Sequence, residues 1–115
     1  MLQIDQKETD GVTVLGLKGR LILGNESTTL AQQIKQTVAD QVTAVLLDLS
    51  EVPYADSFGV GELIASFTSV RRNGGTLKLC SPRPAVLEVL QLVKLPLLVE
   101  VHPTEEEALA SFATA

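Results

Sequence analysis

Along residues 44–49 the chain reads Ala44-Val45-Leu46-Leu47-Asp48-Leu49, an almost unbroken aliphatic run. A run this short and this apolar predicts a strand buried on both faces. Ser50 to Ala55 follows as a loop, since Pro53 bars a helix there and biases Val52 to extended backbone. Beyond Asp56-Ser57 the apolar positions are Val60, Leu63, Ile64, Phe67 and Val70, the spacing of an amphipathic helix. Arg71 and Arg72 in its last turn and Asn73-Gly74-Gly75 after it are C-terminal signals. This strand–loop–helix unit puts Asp56-Ser57 at a helix N-terminus.

The flanking sequence alternates between the two periods. Leu2 and Ile4, then Val12 to Leu17, predict two strands joined at Asp10-Gly11, a dipeptide suited to the positive φ of a hairpin turn. Gly16 is a candidate bulge or close approach. Gly19 to Gly24 predicts a turn and a short extended piece. Asn25 or Ser27 is expected to cap a helix whose stripe is Leu30, Ile34 and Val38, with Ala31 beside it and Gln32, Gln33, Lys35 and Gln36 outward. Thr76 to Cys80 predicts a strand. Pro84 opens a helix burying Val86, Leu87, Leu90 and Val93, with Pro96 as its stop. Leu97 to Val101 predicts a last strand. Thr104 and Glu107 have capping-box spacing at the head of a final helix closed by Ala108, Leu109 and Phe112. Alternating strands and helices predict an α/β fold: a mostly parallel sheet of four to five strands, an N-terminal antiparallel hairpin edge and about four helices.

Composition narrows the functional classes. The length, 115 residues, is that of a single domain, 1–115, and the core is aliphatic, with no Trp, one Tyr and three Phe. A net charge of −5 argues against nucleic acid and against an anionic membrane surface. One Cys and one His leave no Cys/His cluster for a metal, and the reading is one of no cofactor. Without a long apolar run or a leader-like start, the expectation is a cytoplasmic protein.

Several chemistries are weighed and set aside. Ser57 as a hydrolase nucleophile lacks the Gly two residues before it, where Ala55 stands, and His102 is the sole imidazole. Gly59-Val60-Gly61 begins like a dinucleotide fingerprint but is not completed. Asp48 near a strand end is expected to bond loop amides rather than to accept phosphate. Asp56 or Ser57 can cap the helix. Gly59 and Gly61, unfavourable in a first turn, are read as clearing space around the Ser57 hydroxyl for a close partner. Phe58 is expected to pack beneath the helix, with an aromatic contact to the partner as the alternative.

The stretch from Val45 to Leu63, with Asp48-Leu49-Ser50, the loop, and Asp56-Ser57-Phe58-Gly59-Val60-Gly61, resembles the core motif of the STAS family of bacterial anti-sigma factor antagonists and sulfate-transporter domains. Gly19-Arg20-Leu21, Asn73 to Leu77, Val86 to Leu95 and Glu105 to Leu109 resemble other parts of it. Phe58 stands where family members often carry a second small residue, and Ile22 where a polar residue is usual. The resemblance implies a STAS-like fold and a binding module rather than an enzyme. Ser57 would be phosphorylated by an anti-sigma factor with serine kinase activity, and a serine phosphatase would reset it. The unphosphorylated form would bind the anti-sigma factor and release a sigma factor. Asp56, Phe58, Gly59, Val60, Gly61, Gly24 and Asn25 would be the partner-binding residues. The alternatives are a scaffold subunit of a stress-signalling assembly and a small-ligand sensor domain.

Overall fold

Every segment where the apolar period switches between 2 and 3.6 becomes an element in the computed structural model, which describes residues 2–113, and backbone alone for residues 25–28. In chain order these are β1 (Gln3–Thr9), β2 (Val12–Lys18), α1 (Asn25–Ala39), β3 (Ala44–Glu51), α2 (Ser57–Arg72), β4 (Thr76–Cys80), α3 (Pro84–Leu92), β5 (Val101–His102) and α4 (Glu105–Ala113). The sheet order is β1-β2-β3-β4-β5, with β1 antiparallel to β2 and the remaining pairs parallel. The hairpin turn forms at Asp10-Gly11, both at positive φ (54° and 80°), as a two-residue turn of this twist requires. The β2–β3 register shifts between Gly16 and Lys18, the irregularity expected at Gly16.

β3 is paired on both sides, and Val45, Leu46, Leu47 and Leu49 have no exposed surface. One sheet face packs Leu15, Leu17, Leu47 and Leu79 against α1, α2 and α3 through Leu30, Ile34, Leu63, Phe67, Val86 and Leu90. The other packs Val12, Val14, Leu46 and Cys80 against Ala108, Leu109 and Phe112 of α4. Lys78 is buried on β4. Its Nζ lies 2.8 Å from Ser111 Oγ, 3.3 Å from Glu100 Oε1 and 4.6 Å from the Phe112 ring centroid. A lysine buried this far needs such partners. The α4 cap is the predicted one, with Glu107 N donating to Thr104 Oγ1 at 3.1 Å.

Four expectations are corrected. The N-cap of α1 is Gly24, so Asn25 is already helical, and the side chains of Asn25 and Ser27 lie outside the described residues. α3 ends at Leu92, before Pro96, because Lys94 adopts the left-handed conformation (φ 59°) and turns the chain into a 3-10 turn over Leu95–Leu97. Val93 is consequently left exposed, Leu95 takes its place in the core, and the strand predicted from Leu97 shrinks to Val101–His102.

The loop from β2 to α1 is fastened to the start of α2. Leu21 and Ala55 form a parallel bridge, with Leu21 N donating to Tyr54 O (2.9 Å) and Asp56 N donating to Leu21 O (3.0 Å). Gly59 lies directly against that loop, and a Cβ there would overlap the Leu21 carbonyl oxygen. A Cβ at Gly61 would meet nothing within 4 Å. Gly59→Ala is therefore expected to destabilise the fold by at least about 2 kcal/mol. Gly61→Ala, by helix propensity, is expected to stabilise it by roughly 0.5–1 kcal/mol. Urea unfolding of both variants checks the contrast. A second expectation concerns Cys80, whose thiol burial pushes up to about 12. At pH 8 only about one part in ten thousand is thiolate, so an aromatic disulfide reagent should modify Cys80 only as fast as the protein opens. Immediate stoichiometric modification of the folded protein would contradict this.

Candidate functional site

The first turn of α2 starts where β3 and its loop deliver the chain to the C-terminal edge of the sheet. Asp56 is the N-cap, its Oδ1 accepting from Gly59 N at 2.8 Å. Its Oδ2 faces the other way, 3.4 Å from Leu23 N, a long hydrogen bond that ties the approach to α1 onto the cap. Ser57 is the first residue of the helix, and it is exposed. It therefore sits over the orphan amides and the positive end of the helix dipole.

The first turn has two faces. Gly59 and Val60 are buried, so the narrow approach at Gly59 serves the chain's own Leu21, which corrects the reading of Gly59 as clearance for a partner. Phe58 is 56% exposed rather than packed beneath the helix. At about 100° per residue it lies roughly 180° from Phe67 and 140° from Leu63, opposite the buried stripe. Gly61 is also exposed. Gly24 joins this region through its neighbour Leu23, and Asn25 follows it as the first helical residue.

Two residues the sequence did not single out complete the surface. Leu23 and Tyr54 are both more than half exposed, and the Leu21–Ala55 bridge and the Leu23–Asp56 contact carry them to the start of α2. Leu23, Tyr54 and Phe58 are thus exposed apolar residues in the three segments that meet at the Asp56 cap. The one available signal was local: aromatic or aliphatic side chains in segments whose neighbours Leu21, Ala55 and Val60 already supply the core.

The other candidates are absorbed into the scaffold. Asp48 Oδ1 accepts from Ser50 N at 2.9 Å, the loop-amide role expected of it. His102 lies on β5, two strands from β3, with Nε2 3.0 Å from Glu100 Oε1. That contact, with Lys78 nearby, holds the Glu100 carboxyl below the usual carboxylate range. Among the described residues no group of His, Cys, Asp and Glu is arranged to hold a metal, and no helix is long and apolar enough to cross a membrane.

Comparison with known proteins agrees with this architecture. A Paenibacillus polymyxa protein named anti-sigma F factor antagonist is 24% identical over 108 residues, covering 94% of this chain and 92% of its own. The crystal structure of an anti-sigma factor antagonist from Mycobacterium paratuberculosis superposes with a TM-score of 0.86 at 26% identity, covering 96% of this chain and 93% of that one. The phosphorylated form of the Bacillus cell fate determinant SpoIIAA shares the fold, with a TM-score of 0.70 at 22% identity over 97% of this chain and 99% of that one. The STAS domain model matches residues 3–108, all five strands and the start of α4 included, so this chain belongs to the STAS domain family.

Proposed function

We propose that this chain is a phosphorylation-switched protein-binding module acting as an anti-sigma factor antagonist. In its unphosphorylated form it binds an anti-sigma factor that is also a serine kinase, which frees a sigma factor for transcription. The kinase transfers the γ-phosphoryl group of ATP to Ser57 Oγ, the serine loses its proton, and ADP leaves. A serine phosphatase hydrolyses the ester and restores binding. The observation that carries this reading is the exposed Ser57 hydroxyl at the first position of α2, held by the Asp56 cap and bordered by exposed Phe58, Tyr54 and Leu23. The names of the relatives support it.

The physics of the switch follows from that arrangement. Phosphate adds about −1.5 to −2 charge at neutral pH. A helix N-terminus accommodates an anion, since free amides and the dipole face it. The Asp56 carboxylate repels it, but Ser57 is exposed and the dianion stays solvated in the free protein. A partner covering Phe58, Tyr54 and Leu23 removes that water. An unpaired dianion buried there costs several kcal/mol, enough to abolish micromolar binding.

Ser57→Asp should melt within a few degrees of wild type and lose affinity for the anti-sigma factor. Ser57→Ala should bind and take up no phosphate. Thermal unfolding, titration calorimetry and peptide mapping after incubation with kinase and ATP check these outcomes, and phosphate found mainly on Ser50 or Thr104 would contradict the assignment. Phe58→Ala should change stability by less than about 0.5 kcal/mol, since the ring is outside the core. It should weaken the complex at least tenfold, roughly the effect of truncating an aromatic anchor. A large loss of stability with unchanged affinity would reverse that assignment.

A further inference from the structure

Away from Ser57, exposed apolar side chains gather at the corner where α3 ends. Leu97 is 85% exposed, Leu92 75%, and Leu98 and Val93 about half. All four fall within seven consecutive residues, tightened by Lys94 in the left-handed conformation and by the 3-10 turn. Leu97 N donates to Lys94 O (3.2 Å) and Leu98 N to Leu95 O (2.8 Å), while Leu95 and Val99 plug the corner into the core. These leucines are thus presented on a rigid base. Topology puts the corner at the other end of the sheet from Ser57. α2 begins where β3 ends, whereas α3 finishes just before β5 begins, and both strands run parallel to β4.

Charge around the corner is self-complementary. Glu88 on the exposed side of α3 and Lys94 just past its end lie three residues either side of exposed Gln91. Neither side chain takes part in an ion pair among the described residues. A two-fold axis beside Gln91, with two copies of α3 antiparallel, sets Lys94 of each copy against Glu88 of the other and Leu92 and Leu97 at the centre. That is the pattern of an isologous interface, where one patch must complement itself. A patch of four half-exposed or barer aliphatic side chains is roughly 300–600 Å², the size of the largest patch on a typical monomer, which is often functional. Doubled, it falls at or below the small end of specific interfaces, which belongs to weak association.

We propose that this corner is a homodimer interface, in which two copies pair through α3 and the turn after it while both Ser57 sites stay open. The inference is independent of the switch at Ser57. The dissociation constant is expected on the order of 10–100 µM, the range of a small interface. Sedimentation equilibrium on the full chain from about 5 to 500 µM brackets that range and should show a reversible monomer–dimer equilibrium. Leu97→Glu should weaken the dimer at least about tenfold by placing a charge at its centre. Glu88→Lys and Lys94→Glu should each weaken it roughly three- to tenfold, and the double exchange should recover most of that loss. All of these positions are exposed, and unchanged melting curves verify that the variants fold. A monomer at every concentration overturns the proposal. So does a dimer indifferent to Leu97→Glu, a charge exchange with no recovery, or association only with added phosphatidylcholine vesicles.

Discussion

The carbonyl of Leu21 is where this structure is most constrained. It accepts the amide of Asp56 and lies against the Cα of Gly59, so one backbone oxygen fixes the position of the α2 N-terminus relative to the strand pair. Everything local to Ser57 follows from that contact. With the helix pressed onto the loop, Asp56 caps it, and the second oxygen of the same carboxylate is free to meet Leu23. Val60 then falls into the core, and Phe58, on the opposite side of the turn, is left in solvent. The start of α2 is thus fixed by contacts within the chain, which for the proposed partner would limit the ordering cost of binding.

The same constraint bears on how the proposed phosphorylation of Ser57 would act. Ser57 has a solvated hydroxyl beside a carboxylate and three apolar side chains, and no described cation is paired with that carboxylate. In the proposed switch, a phosphate there would be compatible with the free fold and incompatible with dry contact. Under that proposal the discrimination would lie in the complex rather than in the fold of the free protein.

Much of this architecture is legible in the sequence because it is locally encoded. The aliphatic run at β3, the Asp10-Gly11 turn, the Asp56 cap and the Thr104 cap each depend on residues within a few positions of one another. The end of α2 is of the same kind, closed by Gly74 N to Arg71 O and Gly75 N to Val70 O. What escapes the sequence depends on contacts between distant segments. Gly59 reads as an open approach until Leu21, thirty-eight positions earlier, is placed against it. Leu23 and Tyr54 look like ordinary loop residues until the Leu21–Ala55 bridge and the Leu23–Asp56 contact bring their segments to the start of α2. The corner after α3 misleads for another reason. Lys94 takes a left-handed conformation that usually calls for Gly or Asn, so nothing in the side-chain pattern marks the turn that exposes Val93, Leu97 and Leu98. The outward position of Phe58, by contrast, was already contained in the helical period.

The Leu21–Asp56–Gly59 contact is expected to hold the start of α2 in place in the free protein. Amide hydrogen exchange followed by NMR reads it directly, since Leu21 N donates to Tyr54 O, Asp56 N to Leu21 O and Gly59 N to Asp56 Oδ1. In the absence of any partner these three amides should exchange with protection close to that of the β3 core. Exchange at the rate of an unstructured peptide, with β3 still protected, would show that the start of α2 is assembled only on binding.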